Sequence, residues 1–265
     1  MLNYSVECSY AEYERHSYRE FKMLHFLLFV LGTLSNVVSM SLPEYINSCS
    51  RNDPNLNECA LKSARESIHR FSLGDPSRGL PPLDPLYVEK MIVYVPNESG
   101  FKIVFKDNNF TGLSDLKMES LRFDLDKKLI IAEALVNLDV ENTYDLSGKV
   151  FIVPITSNGD SSIKLKNTML HIKFWYEHVE GPDGNIHWKI YKHDIKYDVG
   201  RAIFRLENLL NDKNLGDRIN RILNEMWREI VADVGPTICR SLSSAVVENL
   251  GVLLSQVSYD ELMPE

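Results

Sequence analysis

The C-terminal part of the chain carries one unbroken apolar stripe. Ile219, Ile222, Leu223, Met226, Ile230, Val234, Ile238, Leu242, Ala245, Val246 and Leu250 recur at helical spacing. Arg218, Arg221, Glu225, Arg228, Glu229 and Asp233 fill the opposite face. A helix from Leu215 to Leu250 would reach about 54 Å at 1.5 Å per residue. A compact chain of this size has a radius of gyration of about 17 Å, a sphere of roughly 45 Å across. The helix overruns a round domain, so the spacing predicts an elongated body with a sheet wrapped along the helix. Gly235-Pro236 interrupts the hydrogen-bond ladder, and a kink is expected there. Such a wrap encloses either an apolar channel or a fully packed core, and periodicity alone leaves both open.

The sheet is legible between residues 88 and 206, where the period changes to two. Leu121, Phe123 and Leu125 alternate with polar residues, as do Leu170, Ile172, Phe174 and Tyr176, then Ile186, Trp188 and Ile190, then Ile195, Tyr197 and Val199. Turn signals stand at Asp107-Asn108-Asn109, Ser147-Gly148, Ser157-Asn158-Gly159-Asp160 and Gly181-Pro182-Asp183-Gly184-Asn185. No helical pattern intervenes, so the connections are expected to be hairpins and the sheet antiparallel with one apolar face. Ahead of it, Asp53-Pro54 reads as a helix start, with Leu61, Ala64, Ile68 and Phe71 on one face. Gly74-Asp75-Pro76 ends that helix. The prolines of the Gly79–Leu86 stretch then force extended backbone. The tail from Val257 to Pro264 reads as a short docked terminus.

The start of the chain has a different character. Leu24 to Leu34 is mostly apolar, too short to span a bilayer but the size of a secretory signal core. Ser39 and Ser41 fit the small-residue cleavage rule, with Leu42 as the first mature residue. Residues 1–22 are polar and rich in acids, unlike the basic lead of a signal. They read as a non-native or pre-signal extension, with Met23 as the start; an unusually long lead segment is the alternative. Residues 23–41 are then the signal peptide and 42–265 one domain, large enough for a substantial core. In a secreted chain Cys49 and Cys59, flanking a turn-forming stretch, are expected to pair. Cys239 is left over and reads as a buried, inert thiol. Asn97 and Asn109 head Asn-x-Ser/Thr triplets at predicted turns, where glycans would be accessible.

Charge and motifs narrow the chemistry. Lys plus Arg is 29 against 37 Asp plus Glu, a net charge of −8. An acidic chain has no global attraction for nucleic acid or anionic lipid, so neither nucleic-acid binding nor stable membrane insertion is expected. The sequence holds no Gly-x-Ser-x-Gly elbow, no His-Glu-x-x-His and no phosphate-binding Gly loop. His178 and His187 would face each other if the hairpin turned at Pro182-Asp183. Two ligands are too few for a metal, and an exposed hairpin tip is the simpler reading. No metal, cofactor or catalytic residue is assigned. The inward aromatic rows, with the start of the long helix, make Phe123, Phe151, Phe174, Tyr176, Trp188, Tyr197, Phe204, Met226, Trp227 and Ile230 the candidate pocket residues. Tyr94, Tyr144 and Tyr197 are the candidates for a polar contact with a ligand.

Several of these pieces, in this order, resemble the takeout and juvenile hormone-binding protein family of insects. They are Cys49 and Cys59 near the mature start, and the segment from Gly74-Asp75-Pro76 to Leu83-Asp84-Pro85-Leu86. Leu215-Gly216-Asp217 at the helix opening follows, with Asn224 and Trp227 within the helix and Tyr259-Asp260-Glu261-Leu262 at the tail. The resemblance covers almost the whole mature chain. It implies an α+β, tubular-lipid-binding fold, in which a long helix is wrapped by a strongly curved antiparallel sheet around an apolar tunnel. It also implies a secreted carrier of a terpenoid, fatty acyl or similar hydrophobic ligand, monomeric and without cofactors, in a family whose expression often follows clock or feeding. Strict hormone-binding members carry a second disulfide joining sheet strands. Region 88–206 here has no cysteine, which points to the takeout branch. The competing expectation is a secreted interaction protein of the same fold with a filled interior, acting on a receptor or membrane surface.

Overall fold

The computed structural model describes residues 6–9, 40–94, 100–150 and 153–265. Asn97, Phe151 and most of the 23–41 segment lie outside the described residues. Among the described residues seven strands form one antiparallel sheet: β1 (Val6–Ser9), β2 (Leu86–Tyr94), β3 (Lys102–Thr111), β4 (Lys117–Asp124), β5 (Leu129–Val150), β6 (Val153–Glu180) and β7 (Ile186–Leu206). They lie in the order β1-β7-β6-β5-β3-β2, with β4 also on β5. Strand β5 serves two neighbours in turn: Leu129–Leu135 pair with β4, and Asp139–Ser147 pair with β3. Val6–Ser9, inside the stretch expected to be an extension, pair with Tyr197–Asp194 on the outer edge of β7.

Strand length forces the curl. At about 3.3 Å per residue a strand of 28 residues, such as β6, would be roughly 90 Å long if straight. Twist and β-bulges fold that length back on itself. One bulge interrupts the β5–β6 register between Val136 and Leu138, where β6 carries the extra residue. Asn167 takes a positive φ of 51° there, and its N–H donates to Asn137 Oδ1 at 2.7 Å. Gly200 lies across from it, where an added Cβ would come within 2.9 Å of the Asn167 Cβ. The bulge also changes which residues face inward. Ile163 and Leu165 point to the core before it, and Thr168, Leu170, Ile172 and Phe174 after it. In β7 the register breaks opposite Trp175/Tyr176, leaving Tyr191 exposed between inward Trp188 and inward Ile195.

Three turn signals are placed differently from expectation. Asp107-Asn108-Asn109 is a bulge inside β3, with Asp107 at a φ of 52° and Asn108 buried. The Asn108 amide donates to Val88 O at 2.9 Å and accepts from Asn142 Nδ2 at 3.0 Å. The polar cluster thus satisfies the break in the ladder instead of turning the chain. Ser147-Gly148 and Ser157-Asn158-Gly159-Asp160 lie within β5 and β6, which stay paired out to Val150 and Val153. Asn109, expected at a turn, is an exposed strand residue.

The helical segments flank this sheet. Helix α1 (Leu56–Ser72) begins after Asn55, two residues later than expected, and Asp53 instead accepts the Asn55 N–H at 2.8 Å. The Pro-rich stretch is tied down on both sides. The Leu83 N–H donates to Ser72 O, and Asn249 Nδ2 donates to Pro81 O at 2.7 Å. The C-terminal stripe is two helices, α2 (Lys213–Glu225) and α3 (Trp227–Gln256), and α4 (Tyr259–Leu262) follows. The break falls at Met226 (φ −96°, ψ 29°), while Gly235-Pro236 is accommodated inside α3. Helix α2 turns aside to cover a sheet edge. The Asn224 amide exchanges two hydrogen bonds with the backbone of Phe204, at 2.9 and 2.7 Å, and Asn220 does the same with Leu206. Those bonds close the unpaired edge of β7, which would otherwise be a template for aggregation.

Candidate functional site

Helix α3, about 45 Å long by its 30 residues, packs against β7 and β2 and faces the inner side of β5 and β6 across a gap. Its sheet-facing side is built from small or medium groups: Val231, Val234, Gly235, Ile238, Leu242, Ser243 and Val246. The opposing strands offer mainly aliphatics, Leu138, Ile163, Leu165, Leu170, Ile172, Ile195 and Val199. Leu113 and Leu116 complete the wall from a short turn. Asp84 fixes that turn by accepting the N–H groups of Gly112 and Ser114, at 3.1 and 2.7 Å. This is a structural role for the Leu83-Asp84-Pro85-Leu86 segment. The two apolar faces do not meet completely. A cavity of about 120 Å³ remains between them, room for on the order of ten water-sized groups.

Bulky rings are concentrated beyond one end of this space. Tyr176 stacks on Trp188 with centroids 4.3 Å apart, and Tyr259 lies 5.5 Å from Trp188. Leu56, Ala60, Leu254, Met263 and the Cys49–Cys59 disulfide pack around them. Arg51 ties the plug to the tail. Its guanidinium reaches Asp260 at 2.7 Å and Glu265 at 3.0 Å, and lies 4.8 Å over the Tyr259 ring. Burial pushes the Tyr176 phenol up to about 12, with Tyr259 and Asp124 adding to the effect.

Of the residues singled out from sequence, Phe174, Tyr197 and Phe204 lie in the cavity wall. Tyr176, Trp188 and Phe123 belong to the aromatic plug. Trp227 is buried outside the wall, its ring 4.3 Å from the Arg228 guanidinium and 5.6 Å from that of Arg201. Ile230 packs on the main core beside it. Met226 is 49% exposed, because the helix breaks at that residue. Among the tyrosines considered for a polar contact, Tyr94 is exposed, and Tyr144 spends its hydroxyl on Glu207 O at 2.7 Å.

Sequence reasoning passed over Thr168 and the middle of α3. Thr168 stands one step before Leu170 in the same period-two row, and Val234, Ile238, Leu242 and Val246 were already in the stripe. The preference for aromatics hid them, although small side chains are what leave the space.

Two cysteine and histidine expectations also change. Cys239, in the cavity wall, is disulfide-bonded, and no described cysteine is free. His178 pairs across the hairpin with Trp188, and His187 with Val179, so the two histidines fall on opposite faces. His187 is buried, with Nε2 2.9 Å from Asp183 Oδ1 and Nδ1 3.3 Å from Leu254 O. Among the described residues no three His, Cys, Asp or Glu side chains gather as a metal site.

A curled antiparallel sheet closed by a long helix over an apolar cavity defines a tubular-lipid-binding protein. The chain belongs to the haemolymph juvenile hormone binding protein family, whose model matches residues 26–264. It is 31% identical over 238 residues to the circadian clock-controlled protein daywake of Drosophila melanogaster, covering 84% of this chain and 88% of that one. The Drosophila yakuba daywake protein is 28% identical over 233 residues, with the same coverage. The crystal structure of Epiphyas postvittana Takeout 1 superposes with a TM-score of 0.75 at 25% identity, covering 83% of this chain and all of that one.

Proposed function

We propose that this protein is a secreted carrier that holds one small hydrophobic molecule, of terpenoid or fatty acyl character, in the cavity between sheet and α3. The observation that carries this reading is an interior lined by aliphatic side chains from both layers and left unfilled. Its action is physical. A ligand with about ten methylenes gains roughly 8 kcal/mol by leaving water, and ordering and association costs offset several of these, so micromolar binding or better is expected. A wall of aliphatics selects by length and width. Binding rather than catalysis is also what membership of a hormone-binding family supports. Secretion fits the 23–41 signal reading and the Cys49–Cys59 disulfide, which persists in an oxidising compartment.

A second reading is favoured by one feature. Leu215, Ile222 and Met226 form an exposed apolar row along α2, a surface suited to a receptor or membrane. The experiment that separates the two is titration of delipidated protein with a fluorescent fatty acyl probe. Saturable binding at one site per chain supports the carrier. No binding up to the probe's solubility limit leaves the surface reading.

A further inference from the structure

The outer face of the sheet carries a motif that the cavity does not use. Asn109-Phe110-Thr111 is an Asn-x-Thr triplet, and it lies in β3. Phe110 is fully buried and points to the core, so Asn109 and Thr111, both exposed, share the outer face. Backbone pairing sets Asn109 directly opposite Tyr87 of β2. Directly opposed residues have Cβ atoms about 4.5–5.5 Å apart. Leu86 and Asn108, the chain neighbours of this pair, are buried on the other side. The Tyr87 ring therefore stands beside the Asn109 amide on the solvent face.

Tyr87 is 59% exposed, a bare ring among charged and polar neighbours. Its hydroxyl donates to Asp107 Oδ1 at 2.8 Å, which pins the ring in place. The polar groups on the far side of Asn109 are engaged with one another. Glu141, its partner on β5, accepts from Ser162 Oγ at 2.9 Å. Asp139, opposite Thr111, accepts from Lys164 Nζ at 3.2 Å. Asn109 thus has solvent in front of it and one apolar platform at its side.

We propose that Asn109 carries an N-linked glycan whose first sugar rests its apolar face on the Tyr87 ring. Asn109 Nδ2 forms a bond to C1 of an N-acetylglucosamine supplied by a lipid diphosphate-linked oligosaccharide. The C1–O bond to the diphosphate breaks, the lipid diphosphate leaves, and the amide gives up one proton. Thr111 completes the triplet with its hydroxyl. Transfer onto the extended chain precedes strand pairing, and the folded sheet has only to keep the amide outward, which it does. One face of the sugar ring is lined by C–H groups, and laying it on the phenol ring removes apolar surface of both from water. The proposal rests on the secretion part of the carrier reading and is independent of the ligand.

The test uses the full chain expressed in insect cells and collected from the medium. Peptide N-glycosidase leaves an acid where a glycan stood, and peptide mapping should read that change at position 109. Thr111→Val should abolish it although Asn109 remains. Glycosylated wild type should melt about 2–4 °C above Asn109→Gln, the shift of one modest contact in a domain of this size. Trimming every glycan to its first sugar should keep that difference. With Tyr87→Thr in both proteins the difference should fall below about 1 °C, whereas Tyr191→Thr, at another exposed ring, should leave it whole. An unmodified Asn109 in the secreted protein overturns the site. An occupied Asn109 whose gain in melting temperature survives the loss of Tyr87 overturns the platform. A chain kept unmodified inside the cells refutes secretion and takes the glycan with it, while leaving probe binding in the cavity as a separate question of the carrier reading.

Discussion

Substituting Val234 by Phe asks directly whether the space beneath α3 is open. Val234 is buried on the sheet-facing side of the helix and lies in the cavity wall. The change adds roughly four carbon groups. In a packed core such an insertion destabilises by about 1–3 kcal/mol. In open apolar space the same groups gain up to about 3 kcal/mol, at ~0.8 each, less ~0.5–1 for the rotamer entropy of the larger side chain. A net gain of about 2 kcal/mol raises Tm by roughly 4–8 °C for a domain of this size. At about 10–15 Å³ per group the ring takes up some two-fifths of the cavity's roughly 120 Å³. A ligand that loses four methylenes' worth of burial loses about 3 kcal/mol, or roughly a hundredfold in Kd. The assay is calorimetry of the delipidated variant beside probe titration. Ala202, fully buried but outside the wall, supplies the control: Ala202→Leu should lower Tm. A Val234→Phe protein that melts lower than wild type and binds the probe unchanged refutes the reasoning.

Other outcomes follow from the same structure. Replacing Asn220 and Asn224 by Ala strips the β7 edge of four hydrogen bonds. Each substitution should cost about 1–2 kcal/mol, since water reaches these half-buried groups, and sedimentation should show edge-to-edge self-association. The Cys49→Ser, Cys59→Ser double variant should lose about 2.7 kcal/mol by the chain-entropy estimate for a loop of ten residues. Denaturant unfolding measures that loss, while the cavity, which the pair does not line, keeps its probe affinity within a few-fold. Tyr176 ionises near 10 when unfolded and only at about 12 when folded. The folded state then holds the extra proton, so this contribution is intact below pH 10 and is lost as pH rises from 10 to 12. Phenolate absorbance and circular dichroism in that range should show ionisation coupled to unfolding, and Tyr176→Phe should remove part of that pH dependence.

The sequence made the architecture plain where periodicity was strict. Leu170, Ile172, Phe174 and Tyr176 alternate cleanly and do face inward, and the Gly181–Asn185 hairpin turns where its glycines and proline demand. Legibility failed where polar clusters had two uses. Asp107-Asn108-Asn109 looks like a turn yet forms a bulge inside β3 whose Asn108 amide is bonded internally, and Ser157-Asn158-Gly159 looks like a turn yet stays in regular register within β6. The helix break at Met226 was equally hidden, because the apolar stripe continues across it. Gly235-Pro236 looked like the break but sits within α3, where Gly235 leaves room for Tyr197. The cavity was read through large aromatics, whereas the empty space lies where valine, glycine and serine face mid-sized aliphatics. An orphaned hydroxyl such as that of Thr168 cannot be seen in sequence at all, since its lack of a partner depends on which way a bulge turns the row.

The account turns on a guest that fills the gap under α3. Native mass spectrometry of the protein isolated from its own source, without organic solvent, tests this most directly. The expected spectrum shows the chain heavier by one lipid at one-to-one stoichiometry, lost on solvent extraction and regained on adding the extract back. A chain of bare mass that neither releases a lipid nor takes one up would contradict the account.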